Sequence, residues 1–432
     1  MKRFVRNVLS MAAVAAAFVI GMPAWAATVH LKDGRVLEGT ITKEGDGFLF
    51  LKMSVGGVDR QEIITTDQIK SVERDEAPAK ETPAKDETPA KDGKAMETKG
   101  IDSSKPSETA RTPKTIPPGA TKICFITLEE MVGPYLNADA LAHSVGLLDK
   151  LPEEERPDII VLDIDSGGGA LSEVEPLSDV IHKKLKHEKK YRVVAWIRSA
   201  ISAASMTGIN CEEIYFRRQG NFGGTVAFSM TGPGQAKAMD GEGLQWVLLL
   251  GEKITKRGGY NPLIMRAMQI LMPLSCDIDE DGVVTWYEGT SGEILVNPQD
   301  RILTLNSELA LKCKFSKGTA DTKDELAKLM GCKEWVEVGP EADEYQVAFR
   351  QSVQEAQART DELLSKMNIA IQYGQAPKAR TFLEELRSIA RRAPSMAKYG
   401  QPPLTKEWFD EVEKQIRKII DDQEKMKKAQ NR

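Results

Sequence analysis

Histidine is scarce in this chain and confined to its first half. Of 432 residues only His30, His143, His182 and His187 are histidines, so the last 245 positions carry no imidazole. His182 and His187 lie in the lysine-rich stretch HKKLKHEKK, the pattern of a solvated helix face rather than of a general base. Cysteines number five, Cys124, Cys211, Cys276, Cys313 and Cys332, with no metal-type spacing among them. An odd number in an oxidising compartment leaves at least one thiol free or paired between chains, and Cys313 with Cys332 is the pairing the spacing allows. Charge of one sign is not in excess: 59 basic against 64 acidic residues give a net charge of −5, which gives no ground for a nucleic-acid partner. Long apolar runs are lacking beyond the first residues, so nothing after them reaches the roughly 20 residues of a membrane span.

What is present begins with a leader. Lys2, Arg3 and Arg6 precede an apolar run from Val8 to Ile20, a Gly21/Pro23 break and Ala24-Trp25-Ala26, the order of a secretory signal over residues 1–26 with a small-x-small cleavage site. The mature chain is then expected in the periplasm or cell envelope, soluble or peripheral. Residues 27–75 alternate short apolar stretches with turns around Asp33-Gly34 and Asp46-Gly47, predicting a small SH3- or Sm-like β-barrel of four or five strands, an interaction module for a protein partner. Residues 76–119 repeat EAPAK, ETPAK and DETPAK and hold too few apolar side chains to offset ordering entropy, so a disordered linker is expected there. At 41% hydrophobic residues the chain has material for one core domain of about 200 residues plus smaller modules.

Two stretches in residues 120–338 carry the chemistry. Asp158 to Ala170, DIIVLDIDSGGGA, is a buried parallel-type strand running into Ser166 and three consecutive glycines. Glycines after a strand let backbone N–H groups approach a ligand, which suits an oxyanion hole, and a plain strand-to-helix turn has the same composition. Tyr191 to Val226 reads as a strand at Val193–Ile197, a turn through Ser199–Ser202, a small-residue helix to Asn210 and a second strand at Ile214–Phe216. A serine at such a junction holds its hydroxyl clear of the sheet as a nucleophile does, and also occupies the ordinary N-cap position.

Asp165-Ser-Gly-Gly-Gly169, the segment Ser202-Ala-Ala-Ser-Met206, the strand Glu212-Glu-Ile-Tyr215 and Gly223-Gly-Thr-Val226 resemble the ClpP/crotonase superfamily. The likeness extends over about Ile123 to Trp335, nearest to NfeD-like membrane-bound ClpP-class proteases and signal peptide peptidase A. A second stretch, Ile302–Ala310 with Lys317-Gly318 and Asp324–Gly331, resembles the close of the NfeD-like protease domain. The resemblance implies an α/β, β-β-α spiral peptidase domain over 120–338, followed by a helical appendage over 339–432 that packs or oligomerises. It implies Ser202 as nucleophile and Gly168 and Gly169 at the oxyanion hole, with Gly167 where the family usually has proline. A competing frame puts Ser205 in the nucleophile's place. No histidine follows the serine, and the resemblance implies the family's other solution, a lysine as base, which must be held neutral by burial or nearby positive charge. Lys237, after the Gly232–Gly234 loop, is the leading position, and Lys253 and Lys256 are its rivals.

Asp277, Asp279, Asp281, Gly282 and Glu288 match an EF-hand loop, but no convincing helix follows Glu288 and a strand pair with an Asp-Gly turn explains the same residues. No metal or other cofactor is therefore expected. The expected function is an exported serine endopeptidase, a Ser/Lys enzyme and homo-oligomer by resemblance, acting on membrane-protein or hydrophobic peptide segments. The alternatives are a catalytically inactive scaffold of the same fold and a crotonase acting on acyl-coenzyme A, the last disfavoured by export.

Overall fold

The computed structural model describes residues 25–32, 36–45, 48–55, 58–65, 69–74, 116–232 and 235–430. The leader up to residue 24, most of the linker and the two Asp-Gly turns of the N-terminal module lie outside the described residues. The chain divides into two compact units, the second beginning at Pro118.

The first unit is a five-stranded sheet of β1 (Trp25–Leu31), β2 (Val36–Gly45), β3 (Phe48–Val55), β4 (Val58–Thr65) and β5 (Ile69–Arg74), in the order β4-β3-β2-β1-β5. Alternate residues Val29, Leu31, Leu49, Leu51 and Ile64 face its core. Strand β1 starts at Trp25, two residues before the mature start expected from the leader.

The second unit is built on a six-stranded sheet. In chain order come β6 (Thr121–Glu129), α1 (Ala138–Leu148), β7 (Ile159–Ser166), α2 (Val174–Asp179), β8 (Arg192–Ile201), α3 (Ala203–Gly208) and β9 (Glu213–Gly223). A hairpin of β10 (Phe228–Gly232) and β11 (Gln235–Ala238) precedes α4 (Gly241–Gly258) and α5 (Pro262–Gln269). A three-stranded antiparallel sheet of β12 (Leu274–Ile278), β13 (Val284–Glu288) and β14 (Ile294–Asn297) follows, then β15 (Thr304–Asn306), α6 (Ser307–Lys312), α7 (Lys323–Leu329) and β16 (Trp335–Glu337). The main sheet runs β15-β9-β8-β7-β6-β16, parallel throughout except β15. Its central strands read as continuous apolar runs because both faces are covered. Cys124, Ile126 and Leu128 point into the core under the helices, while Ile123, Phe125, Val161, Val194 and Trp196 point to the α7 side. The architecture is mixed α/β.

Between β7 and β8 the chain forms a 3₁₀ turn at Leu171–Glu173, α2, and a π-helix at Val180–Glu188. Pro176 in α2 lacks the N–H that a continuous helix would use.

The α7 face carries a half-buried charge system. Trp196 Nε1 donates to the Ala320 carbonyl at 2.9 Å, and the Arg217 guanidinium lies 3.6 Å from the Trp196 ring centroid. Arg217 also donates to Asp163 at 2.7 Å, and Asp163 is 8% exposed. Asp163→Ala leaves Arg217 without its carboxylate and is expected to cost about 2–3 kcal/mol, read as a lower urea midpoint at unchanged slope.

The C-terminal helices α8 (Glu341–Gln372), α9 (Ala376–Arg392), α10 (Pro394–Tyr399) and α11 (Lys406–Gln430) enclose a core of their own around Leu363, Leu383, Leu386 and Met396. They are tied into the second unit through α8. Asp343 accepts from Thr127 N at 2.7 Å, Arg350 donates to the Thr127 carbonyl at 2.8 Å, and Gln346 donates to Ser144 Oγ at 2.9 Å. No helix among the described residues is long and apolar enough to cross a membrane.

Candidate active site

The site is assembled where β8 hands over to α3. Ser202 stands between them at φ 56° and ψ −125°, a conformation that costs a non-glycine residue about 1–3 kcal/mol and persists only where its surroundings enforce it. The enforcement is visible on both sides. Ser202 N donates to the Gly223 carbonyl at 2.9 Å, and the Ser202 carbonyl accepts from Ser205 N at 3.1 Å and Met206 N at 3.3 Å. The Ser202 side chain makes no capping hydrogen bond to α3, so it does not act as an N-cap, and the residue is half-buried.

Ser205 is placed differently. It is fully buried, and its hydroxyl donates to the Ser202 carbonyl at 2.7 Å. It supports the strained turn from beneath.

The glycines after β7 close against the serine. Gly168 has φ 89°, and a Cβ there would lie 2.6 Å from Ser202 Cβ, 2.6 Å from the Ile201 carbonyl and 3.0 Å from Ala203 N. Gly169, at φ 155°, would place a Cβ 2.2 Å from the Val132 carbonyl. The loop is pinned to the segment after β6: Val132 N donates to the Gly168 carbonyl at 3.0 Å, and Ala170 N donates to the Val132 carbonyl at 2.9 Å. Gly168 N itself donates to Ser166 Oγ at 3.2 Å. Ala203 N, at the start of α3, lies 3.0 Å from where a Gly168 Cβ would stand and is an amide at this corner that the sequence reading did not single out. The signal was available, since the first N–H groups of any helix have no partner within it.

Ser202, Gly168 and Gly169 thus come together, whereas the three lysines are held on carboxylates. Lys237 lies exposed on β11 and donates to Asp240 at 2.8 Å. That hydrogen bond and charge raise its pKa, the opposite of what a base needs. Lys253 pairs with Glu175, and Lys256 pairs with Glu252 at 2.6 Å. Lys186 is half-buried and donates to the carbonyls of Asn210 at 3.2 Å and Arg257 at 2.9 Å, beyond the C-terminal end of α3. The histidines are engaged elsewhere: His182 and His187 with each other, their Nε2 atoms 3.2 Å apart, His143 stacked on Tyr345, and His30 against Glu73.

The acidic residues of the EF-hand match lie on a hairpin. Asp279 and Asp281 belong to its turn, where Asp279 accepts from Val283 N at 2.8 Å, while Glu288 is paired with Leu274 at the far end of the strands. Extended strands carry Glu288 away from the turn, and no group of three metal-ligating side chains occurs among the described residues.

All five thiols are unpaired. Cys313 belongs to the core under the helices and Cys332 packs on the α7 side, so the sheet separates the pair that spacing allowed. Burial pushes the Cys124, Cys211 and Cys313 thiols up to about 12.

No protein-family model matches the chain. The chain is 26% identical over 180 residues to the membrane protein NfeD1b of Bacillus subtilis (strain 168), a match that covers 41% of this chain. It spans about a third of that relative, 35% of its length. Solved structures similar to it include two forms of the 1510-N membrane-bound stomatin-specific protease. A serine-to-alanine variant is 13% identical with a TM-score of 0.35, covering 49% of this chain and 84% of that one. A lysine-to-alanine variant in complex with a substrate peptide is 14% identical with a TM-score of 0.36, covering 49% and 80%. The resemblance to NfeD-like proteins is thus carried by a relative as well as by the motifs.

Proposed function

We propose that this NfeD-like chain is a serine endopeptidase of the cell envelope that cleaves hydrophobic or membrane-derived peptide segments, with Ser202 as its nucleophile. The observation that carries the reading is the strained backbone of Ser202, whose side chain makes no capping hydrogen bond and whose Cβ packs by the glycine corner at Gly168. Such strain concentrates where it serves a mechanism. In the reaction a base removes the Ser202 proton as Oγ attacks the peptide carbonyl. The oxyanion is held by amides at Ala203 and the glycine corner, and the protonated base then passes its proton to the leaving amine. Water releases the acyl group by the same steps in reverse.

Lys237 is the base in this reading, delivered by movement of the β10–β11 hairpin and release from Asp240. Export through the leader 1–26 agrees with a relative named as a membrane protein. The N-terminal sheet would serve as a docking module beyond the linker 76–119, ahead of the peptidase domain at 120–338 and the helical region at 339–432. Assembly as a homo-oligomer belongs to the same reading.

The test is covalent labelling of the purified protein by a fluorophosphonate probe. The rate of labelling should rise with pH as Lys237 loses its proton. The Asp240 hydrogen bond raises the lysine's pKa, so Asp240→Asn is expected to move that rise to lower pH. An unmoved profile would remove Lys237 from the base's role. The pairing of Lys237, Lys253 and Lys256 with carboxylates favours a second reading, an inactive scaffold that keeps the fold for assembly, and complete absence of labelling would select it.

A further inference from the structure

We infer that Glu173 and Tyr399 are positioning residues that clamp the glycine corner beside Ser202, so that the C-terminal helices form part of the working site. The inference rests on the hydrolase reading of Ser202. The corner Gly168–Ala170 runs directly into the 3₁₀ turn, whose Glu173 N donates to the Ala170 carbonyl at 3.1 Å. The Glu173 side chain is buried, at 7% exposure, and gathers donors from two other segments. Ala138 N, opening α1, donates at 3.1 Å. From α10, Lys398 Nζ donates at 3.3 Å and the Tyr399 hydroxyl donates to the same carboxylate oxygen. Tyr399 OH also lies 3.2 Å from Ser172 Oγ.

The ring of Tyr399 adds a packing contact to this polar one. A Cβ on Gly133 would stand 3.0 Å from Tyr399 Cγ and 3.1 Å from Ala170 Cβ, so the tyrosine lies directly on the segment paired with the corner. That segment, Val132–Gly133, holds Gly168 and Ala170 by backbone hydrogen bonds. Three pieces of chain distant in sequence, 131–138, 168–173 and 394–399, are therefore fixed by one buried carboxylate and one ring. Met396, fully buried in the C-terminal core, anchors α10 from the other side. Gly168 lies so near Ser202 that an added Cβ would stand 2.6 Å from Ser202 Cβ, so a displacement of the corner passes to the geometry of attack, where an error of about 1 Å costs on the order of a hundredfold in rate.

The experiment measures fluorophosphonate inactivation of the full chain together with amide hydrogen exchange. Tyr399→Ala and Glu173→Gln are expected to lower kinact by about 10- to 100-fold with KI within about twofold. Tyr399→Phe, which keeps the ring, should stay within about threefold of the parent. In Tyr399→Ala the amides of 131–136 and 168–173 should exchange about tenfold faster while those of β7 and β8 are unchanged. Folded Tyr399→Ala that labels at the parent rate, or exchange unaltered in both segments, overturns the clamp. If the parent protein is itself unlabelled, the hydrolase reading fails and the exchange rates alone decide the clamp.

Discussion

Ser202→Ala is expected to abolish fluorophosphonate labelling and to lower peptide hydrolysis by about 10⁴- to 10⁶-fold, the range for loss of a nucleophile whose partners remain. Its stability should hardly change, because alanine at φ 56° bears the same backbone strain as serine and the hydroxyl makes no capping bond to lose. Ser202→Gly separates the two effects. Glycine occupies this conformation freely, so the variant should be as inactive yet more stable by about 1 kcal/mol, a rise in Tm of roughly 2–4 °C. Ser205→Ala provides the converse. It removes the buried hydroxyl that donates to the Ser202 carbonyl and should cost about 1 kcal/mol while labelling persists. Labelling lost in Ser205→Ala and kept in Ser202→Ala would assign the chemistry to the other serine.

The parts of the fold that were legible are those where one local pattern has one solution. Ile159–Leu162 and Val193–Ile197 are unbroken apolar runs, and they lie within the buried parallel strands β7 and β8. In α5 the local signal Asn261-Pro262 has a direct structural counterpart, since Asn261 caps the helix by accepting from Leu263 N at 2.9 Å and Pro262 opens it. What was not legible depends on partners far away in the chain. Trp335–Glu337 is too short to read as a strand, and it becomes one by pairing with β6, more than 200 residues earlier. Lys186 sits in a lysine-rich run that reads as solvated, yet two carbonyls at the end of α3 and at Arg257 draw it inside. At the site, the strain at Ser202 and the contact with Gly168 are properties of backbone angles that residue types only permit. The ion pair of Lys237 was the more accessible omission, since Asp240 stands three residues away and a carboxylate at that distance opposes a neutral lysine. Tyr399 lies between Pro394 and Pro402-Pro403, and nothing in the residue types there points to the segment 131–138 or to Glu173.

Gly168→Ala should be severely damaging, because it fails on two independent grounds. At φ 89° an L-residue pays about 1–2 kcal/mol for its backbone alone. The added Cβ also meets the Ile201 carbonyl and Ser202 Cβ at 2.6 Å, and these belong to a turn locked by Gly223 and by α3, so neither can rotate away as a flexible side chain would. The loop must therefore back off from the serine. We expect a stability loss of about 3 kcal/mol or more by urea denaturation, and a fall in labelling rate of at least about 100-fold in whatever fraction remains folded, comparable to loss of an oxyanion donor. Gly167 supplies the control one residue away. A Cβ there meets nothing within 4 Å, so Gly167→Ala should be neutral or stabilising by up to about 1 kcal/mol, with labelling retained. Equal behaviour of the two variants would mean that the approach of this loop to Ser202 has no part in catalysis, and the oxyanion donors would then have to be sought in α3 alone.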